Sequence, residues 1–471
     1  METICGERRV SGSIRKKEVE MLRRLILAVV IFALTFGTSC FSGIGPLEII
    51  SSVLSDDTGN TFIAYRVERS PGDHDIHLQK IDPEGAVLWD NTLFTGNDGR
   101  ADVVGMVSDG NSGVFIAWEV LTPEDGKKGP HRFDRVTLMK VDAQGQIQQR
   151  QDLFEKGLQM VDDGMGGVIL GWATKEDYRV LREDGHGSTL WAQTIIGRGT
   201  GLKLAAEENG ESFILWDNRD NPYFVAQKLG ADDQLLWGQE GMPEGIRIKH
   251  LETALQAEPQ IISDGSGGAI VTWAEALGGG LPSYVWACRI RADGQVLCEE
   301  PIRDLTSPIN VYTRVVADGS GGAIVVWEDH RDVMTLYAQK VNTEGEAQWQ
   351  ENGIPVCTGL PEVSPRFEVT GNGDGGVVVA WIDGDRKLLI QMIDASGQRL
   401  WDNKGVLIAS GVCSLPVKLS GTGENGFIIG WSTGVEAYHP NDSYLQKIDS
   451  DGNLLWGQDG IQLDSKAGGA E

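Results

Sequence analysis

Cysteine and histidine are the side chains in this 471-residue chain best suited to nucleophilic or metal chemistry, and the chain has six Cys and seven His. It contains neither a GxSxG nucleophile elbow nor an HExxH metal motif. Exposed loop histidines need no metal to explain them. We therefore predict no catalytic residue, no metal site and no cofactor. Four of the histidines fall in connections between predicted strands: His74, His131, His330 and His439.

Cys40 follows a segment typical of secreted proteins. A basic start (Arg23, Arg24) precedes an apolar core, Leu25–Phe36, and the small residues 37–39. The core is shorter than the roughly 20 residues of a spanning helix. The residues before Cys40 resemble the cleavage box of bacterial lipoprotein signal peptides, which implies lipidation of Cys40. Plain cleavage and an uncleaved anchor are the alternatives, and all three predict a domain outside the cytoplasm, anchored to the membrane or secreted.

The body of the chain is strongly acidic. The whole sequence carries a formal charge of −27, and residues 41–471, with 34 basic and 64 acidic side chains, carry −30. Such a surface repels a phosphate backbone, so nucleic acid is not an expected partner. The charge is explained by solubility.

A repeated pattern of Gly-rich turns and aromatic residues organises the sequence. Residues 263–273 read SDGSGGAIVTW and residues 317–327 read ADGSGGAIVVW, each a polar turn followed by an apolar run that ends in Trp. Eight copies occur, and in each the closing aromatic lies nine positions after a turn residue. The turn residues are Asp56, Asp109, Asp163, Glu207, Asp264, Asp318, Asn372 and Thr422, and the aromatics are Tyr65, Trp118, Trp172, Trp216, Trp273, Trp327, Trp381 and Trp431.

A second unit follows each aromatic, as in YAQKVNTEGEAQW at 337–349. It has a Gln slot and, ten residues later, a Trp slot. Together the two units contain thirteen of the fourteen Trp. The Gln slot holds Gln79, Met139, Leu181, Gln227, Cys288, Gln339, Gln391 and Gln446, and the Trp slot holds Trp89, Gln149, Trp191, Trp237, Cys298, Trp349, Trp401 and Trp456.

These constant intervals predict hairpins, because short Gly- and Asp-rich turns between β-rich runs are hairpin signals. Each repeat then supplies four strands, A to D. Strand B, such as 323–327, is apolar without alternation, which is typical of a strand buried on both faces. A ring of stacked sheets buries both faces. The sequence thus predicts an all-β, eight-bladed β-propeller over 47–464, after a signal region (1–40) and a linker (41–46) and before a flexible tail (465–471).

One repeat places cysteine in both the Gln slot and the Trp slot. Cys288 and Cys298 flank the predicted three-residue loop 292–294, so they face each other across a hairpin as a non-hydrogen-bonded pair. This geometry permits a disulfide in an oxidising compartment. The alternative is two buried thiols that fill the space of the missing Trp.

All length variation lies in the B–C and D–A connections, whose intervals run from 9 to 21 and from 14 to 27 residues. In a meandering blade both connections emerge on one face, here called the loop face; the A–B and C–D turns form the opposite turn face. Variable loops on one face usually carry function. The two longest connections bring in basic residues that offer an acidic partner a foothold: Lys127, Lys128, His131, Arg132, Arg247, Lys249 and His250.

The DGxGG turn, the strand ending in Trp and the YAQK unit resemble repeats of secreted bacterial β-propeller proteins, over residues 47–463. The second unit, for example Ile448, Asp449, Gly452 and Trp456, is also similar to the tryptophan-docking repeat of quinoprotein-type eight-bladed propellers. That group includes quinone-dependent dehydrogenases and a non-enzymatic outer-membrane assembly lipoprotein. In that tryptophan-docking repeat the spacing from Asp to Trp is one residue longer than in this chain. The chain also lacks the adjacent Cys pair of the quinone-dependent dehydrogenases.

Three functions follow as hypotheses. The first is a non-enzymatic, membrane-associated scaffold outside the cytoplasm that binds an envelope or extracellular protein. The second is a carbohydrate-binding or carbohydrate-active propeller. The third and weakest is a quinoprotein-like oxidoreductase. The second would use aromatic residues outside the repeat slots: Tyr178, Tyr223, Tyr284, Trp286 and Tyr438.

Overall fold

The computed structural model describes part of the compact unit 46–471, within which the chain forms strands, turns and loops. These described residues contain no helix long and apolar enough to cross a bilayer. The predicted signal region with Cys40 and the tail 465–471 lie outside them. The described ranges are 47–70, 73–96, 100–123, 131–153, 157–174, 176–196, 199–218, 223–238, 245–249, 255–256, 259–276, 283–298, 301–305, 312–329, 335–358, 363–412, 417–423, 426–433 and 442–463.

The strands fall into eight consecutive groups, one for each blade. Blade 1 contains β1 (Leu47–Ser55), β2 (Thr61–Ser70), β3 (Asp73–Ile81) and β4 (Val87–Phe94); blade 2 contains β5 (Arg100–Ser108), β6 (Val114–Pro123), β7 (His131–Val141) and β8 (Ile147–Leu153); and blade 3 contains β9 (Gln159–Asp162), β10 (Val168–Ala173), β11 (Asp177–Glu183) and β12 (Thr189–Ile196). Blade 4 contains β13 (Gly199–Ala206), β14 (Ser212–Asn218), β15 (Tyr223–Leu229) and β16 (Ile246–Lys249), and blade 5 contains β17 (Leu255–Gln256), β18 (Gln260–Ser263), β19 (Ala269–Ala276), β20 (Ser283–Ile290), β21 (Val296–Leu297) and β22 (Arg303–Leu305). Blade 6 contains β23 (Thr313–Ala317), β24 (Ala323–Asp329), β25 (Thr335–Val341) and β26 (Ile354–Pro355); blade 7 contains β27 (Val363–Gly371), β28 (Val377–Asp383), β29 (Lys387–Ile393) and β30 (Val406–Ser410); and blade 8 contains β31 (Lys418–Gly421), β32 (Phe427–Thr433), β33 (Asp442–Ile448) and β34 (Ile461–Gln462).

Each blade pairs its strands antiparallel in the order A-B-C-D, and every blade is built from consecutive strands. The eight blades form a propeller ring, which confirms the predicted fold class. Blade 5 differs in detail. Its strand D is divided into β21 and β22, which both pair with β20, and the additional strand β17 pairs with β19.

The A strands line the centre of the ring. Each of them contacts the A strand of the next blade, from β1 through β5, β9, β13, β18, β23 and β27 to β31, and β31 in turn contacts β1. At this last boundary the Ser443 hydroxyl donates to the Glu48 carbonyl at 2.8 Å. The ring therefore closes by packing blade 8 against blade 1, across almost the whole length of the sequence.

The core lies between blades. All seven residues of β24 and all seven of β28 are buried, as their lack of alternation predicts. One side of β24, with Val325 and Trp327, packs on blade 5, and the other, with Ile324 and Val326, packs on blade 7. Each sheet is thus covered on both faces by its neighbours, which is the condition that makes non-alternating strands stable.

The tryptophans of the Trp slot connect six of the eight blades to the next blade. We call this contact the Trp bridge: the indole Nε1 donates to a carbonyl in the next C–D turn. The turn glycine allows the close approach, since Gly397 has a φ of 88° and a Cβ there would lie 3.0 Å from the Trp349 ring. At 3.0–3.2 Å, Trp89, Trp191, Trp237, Trp349, Trp401 and Trp456 donate to the carbonyls of Ala143, Ala231, Ala292, Ala395, Ser450 and Pro83, respectively.

A second contact, the cation bridge, starts from the strand C residue that follows the Gln slot. Its Lys or Arg donates to a turn carbonyl of the next blade, and in five blades it also pairs with the turn Asp of its own blade, as Lys340 does with Asp318 at 3.1 Å. The cations are Lys80, Lys140, Arg182, Lys228, Arg289, Lys340 and Lys447, and their carbonyl acceptors are Ser112, Gly185, Ala231, Gly267, Thr343, Gly375 and Pro83.

Candidate functional site

The predicted partner-binding residues lie only partly within the described chain. Lys127, Lys128 and His250 lie outside it. His131 and Arg132 begin β7 and Lys249 ends β16, and only their backbone is described. The exposed Arg247 lies on β16, with its guanidinium carbon 4.7 Å from the centroid of the Tyr223 ring. The clustering of these basic residues stays a prediction.

The structure joins Cys288 and Cys298 by a disulfide, with Cα atoms 4.6 Å apart. The neighbouring residues Arg289 and Leu297 are paired in the β20–β21 register, so the two cysteines face each other across the hairpin. The Cys288 side chain is fully buried. This geometry agrees with the predicted pairing, and the oxidation state in solution stays a prediction.

The sequence reasoning missed a row of residues at the inner edge of the ring, seven of them polar. They lie on strand A, four positions before each turn residue, and all eight are half-buried; the residue in blade 2 is glycine. The signal was available as a fixed offset from the turn, but it looks like ordinary strand alternation. In blade order these inner-edge residues are Ser52, Gly105, Gln159, Lys203, Gln260, Arg314, Glu368 and Lys418.

Three of these residues lie on adjacent blades and interact electrostatically. Arg314 pairs with Val326 in the sheet and therefore faces blade 7, where its guanidinium carbon lies 6.0 Å from the Phe367 ring centroid. Burial raises the pKa of Glu368, and the charges of Lys418 and Arg314 oppose that rise. The inner edge of blades 6 to 8 thus alternates a cation, a carboxylate and a cation.

Glu328 is a buried carboxyl close to this row. It follows Trp327 on β24, is 2% exposed and faces blade 7, and its Oε1 has no hydrogen-bond partner among the described residues. Burial raises its pKa to about 7, with the Arg314 charge acting in the opposite direction. A carboxyl with a pKa near neutral can exchange a proton at physiological pH, which is a property of functional sites and of strained cores alike.

The aromatic residues considered for carbohydrate binding are largely structural where they are described. Trp286 stacks on Trp273 with centroids 5.6 Å apart, and both indoles donate to the buried carboxylate of Glu275, at 3.2 and 2.8 Å. Tyr178 is 1% exposed and packs on Trp216. Tyr438 lies outside the described residues. Tyr178 and Trp286 are thus held in packing contacts, whereas Tyr223 and Tyr284 are half-buried.

Within the described residues, no group of three or more His, Cys, Asp or Glu side chains is arranged to hold a metal ion. His74 is buried, with Nδ1 at 3.1 Å from the Ala101 carbonyl oxygen. His330 and His439 lie outside the described ranges.

No protein-family model matches the chain, and no curated protein matches it. The solved structures that are similar to it include a eukaryotic initiation factor (10% identity, 86% of this chain and 87% of that chain, TM-score 0.48). Another is the β-propeller domain of the Trilobed protease from Pyrococcus furiosus (11%, 77% and 99%, TM-score 0.43). A third is a Hadza microbial sialidase (10%, 85% and 65%, TM-score 0.35). At these values the comparisons assign no activity and no ligand.

Proposed function

We propose that this protein is a non-enzymatic interaction scaffold that acts outside the cytoplasm, is held at the membrane by its N-terminus, and binds an acidic partner at its loop face. The observation that carries the proposal is the charge of the inner edge. Of its eight positions three are cationic (Lys203, Arg314, Lys418) and one is anionic (Glu368), within a body of net charge −30.

Local positive charge in an acidic protein attracts acidic ligands, because the potential near the cations decides the encounter rather than the net charge. Half-buried cations interact more strongly than fully exposed ones, since the lower local dielectric reduces screening. The ring supports a binding role as well. Trp bridges and cation bridges hold the blades on the turn face, so the loop face rests on a rigid base and its connections vary without loss of the fold.

The proposed location rests on the sequence alone. Cys40 and the apolar core before it predict an anchor, and the short linker 41–46 would keep the propeller near the bilayer surface. A scaffold in this position would meet envelope or extracellular proteins first.

The charge proposal is tested by binding of the full chain to poly-L-glutamate, with poly-L-lysine as the opposite probe. We expect poly-L-glutamate to bind more weakly as salt increases, and the double variant Arg314→Gln/Lys418→Gln to lose about tenfold in affinity or more. Arg291→Gln, an exposed arginine of the turn face, is the matched control and should bind like the parent protein. Equal binding by the double variant, or equal loss in the control, would refute the assignment of the site.

An envelope partner is then identified by comparing what the parent chain and the double variant capture from envelope extracts. A protein with an acidic surface that is retained by the parent and lost by the double variant supports the scaffold role. Identical captured sets would contradict it.

A further inference from the structure

Blade 7 departs from the cation bridge that the other seven blades make. The position of the bridging cation, Lys340 in blade 6, holds Met392, which has no hydrogen-bond donor. The turn residue has changed as well, since Asn372 stands where blade 6 has Asp318. Both partners of the ion pair are thus replaced by neutral groups in the same blade.

A cavity of about 510 Å³ opens on the turn face where this bridge is missing, between blades 7 and 8. Its inner lining includes Asn372, Met392 and Phe427, which are 9%, 4% and 1% exposed. Its rim carries the carboxylates of Asp374, Asp394 and Asp451. The volume falls within the range of about 300–1,000 Å³ that small-molecule sites occupy.

The Asn372 amide points to the kind of ligand. Its Oδ1 accepts the backbone N–H groups of Asp374 and Gly376, at 2.9 and 2.7 Å, which fixes the orientation of the amide. Its Nδ2 donates no hydrogen bond to the described residues, and it keeps some exposure to the cavity that Asn372 lines. The amide is therefore available to donate to an acceptor atom of a ligand inside the cavity.

The chemistry of the lining excludes several ligand classes. An anion would be repelled by the three rim carboxylates. A cation would be attracted by the rim carboxylates, but inside the cavity it would meet the Asn372 amide donor, at the place where six of the other seven blades have a carboxylate. A wholly apolar molecule would leave the Asn372 amide without an acceptor. A neutral ligand with hydroxyl groups satisfies all of them, since a hydroxyl accepts from the amide and donates to a carboxylate.

We propose that the cavity between blades 7 and 8 binds a neutral polyhydroxylated ligand of the size of a sugar unit. Its hydroxyls would pair with Asn372 Nδ2 and with Asp374 and Asp451, while an apolar ring face would lie on Met392 and Leu400, which also line the cavity. This site lies on the turn face and is independent of the acidic-partner site proposed for the loop face.

The test is titration of the full chain by saturation-transfer NMR and calorimetry. The probes are the monosaccharides glucose, galactose, mannose and N-acetylglucosamine. The disaccharides maltose and lactose are added to distinguish binding of a free sugar from binding of the end of a glycan. We expect at least one of these sugars to bind. Lysine amide and inorganic phosphate are the charged probes, and neither should bind at the cavity.

Two variants connect binding to this cavity. Asn372→Asp/Met392→Lys rebuilds the cation bridge, fills the cavity and should abolish binding while the protein keeps or gains thermal stability. Asp451→Asn should weaken binding about tenfold, with Asp293→Asn, the same turn position in blade 5, as the matched control that leaves it unchanged. Absence of binding by every sugar to the folded parent chain, binding of a charged probe at the cavity, or undiminished sugar binding by the rebuilt variant would each overturn the proposal.

Discussion

Replacing Glu328 with Gln should make the propeller more stable at pH 8 and should remove a specific part of its pH dependence. The carboxyl is 2% exposed, its Oε1 has no hydrogen-bond partner in the part of the chain that the structure describes, and burial raises its pKa from the ordinary 4.5 to about 7. Gln has nearly the same shape and keeps the group neutral at every pH, so the variant isolates the cost of the buried charge.

The direction in which stability changes with pH follows from proton binding. Between pH 4.5 and 7 the folded protein holds the Glu328 proton while the unfolded chain has released it, so the free energy of unfolding falls as pH rises. This contribution to stability is complete below pH 4.5, and it is lost as pH rises through 7. The difference between the two pKa values corresponds to about 3 kcal/mol.

The assay is urea denaturation of the parent chain and of Glu328→Gln at pH 5, 6, 7 and 8. Relative to the parent, the free energy of unfolding of the variant should rise by about 2.5 kcal/mol from pH 5 to pH 8, mostly between pH 5 and 7. Glu351→Gln, an exposed glutamate of the same blade, is the control and should run parallel to the parent. A constant difference between parent and Glu328→Gln over the whole range would refute the reasoning, because it would mean that the carboxyl titrates alike in both states.

Four further predictions concern the bridges and the cysteines. Lys340→Met should destabilise the propeller by about 3–5 kcal/mol, because it leaves the buried Asp318 carboxylate without its cation. The double variant Lys340→Met/Asp318→Asn should lose much less stability, and equal denaturation midpoints for the two variants would contradict this. Trp456→Phe should lower the free energy of unfolding by about 1 kcal/mol plus a packing term, since it removes the hydrogen bond to Pro83 that joins blades 8 and 1. A similar loss is expected for Trp89→Phe, at a boundary inside the ring. A variant with unchanged stability would show that this hydrogen bond contributes nothing. Denatured, unreduced protein should leave Cys288 and Cys298 unalkylated, and quantitative alkylation of both would exclude the disulfide. Mass spectrometry of the native N-terminus should find a lipid on Cys40, and an unmodified N-terminus elsewhere would exclude lipidation.

The sequence alone determined the architecture, because the relevant signals are local and repeated. A turn residue nine positions before each aromatic defines one hairpin, and the ten-residue interval between the Gln and Trp slots defines the next. Eight copies then specify eight blades, and a non-alternating strand B requires cover on both faces. The Cys288–Cys298 pairing was predictable for the same reason, since both residues belong to one hairpin.

Contacts between blades were decided by the tertiary structure. The Lys or Arg that follows the Gln slot in seven repeats is visible in the sequence, but its acceptor lies in another repeat, and Lys447 of blade 8 donates to Pro83 of blade 1. Whether Asn372 and Met392 line a cavity depends on how the sheets of blades 7 and 8 pack against each other. The inner-edge charges of Arg314, Glu368 and Lys418 come together because blades 6 to 8 are neighbours in the ring. In each case the partners lie in different repeats, and their interaction depends on the packing of one blade on the next rather than on a local residue pattern.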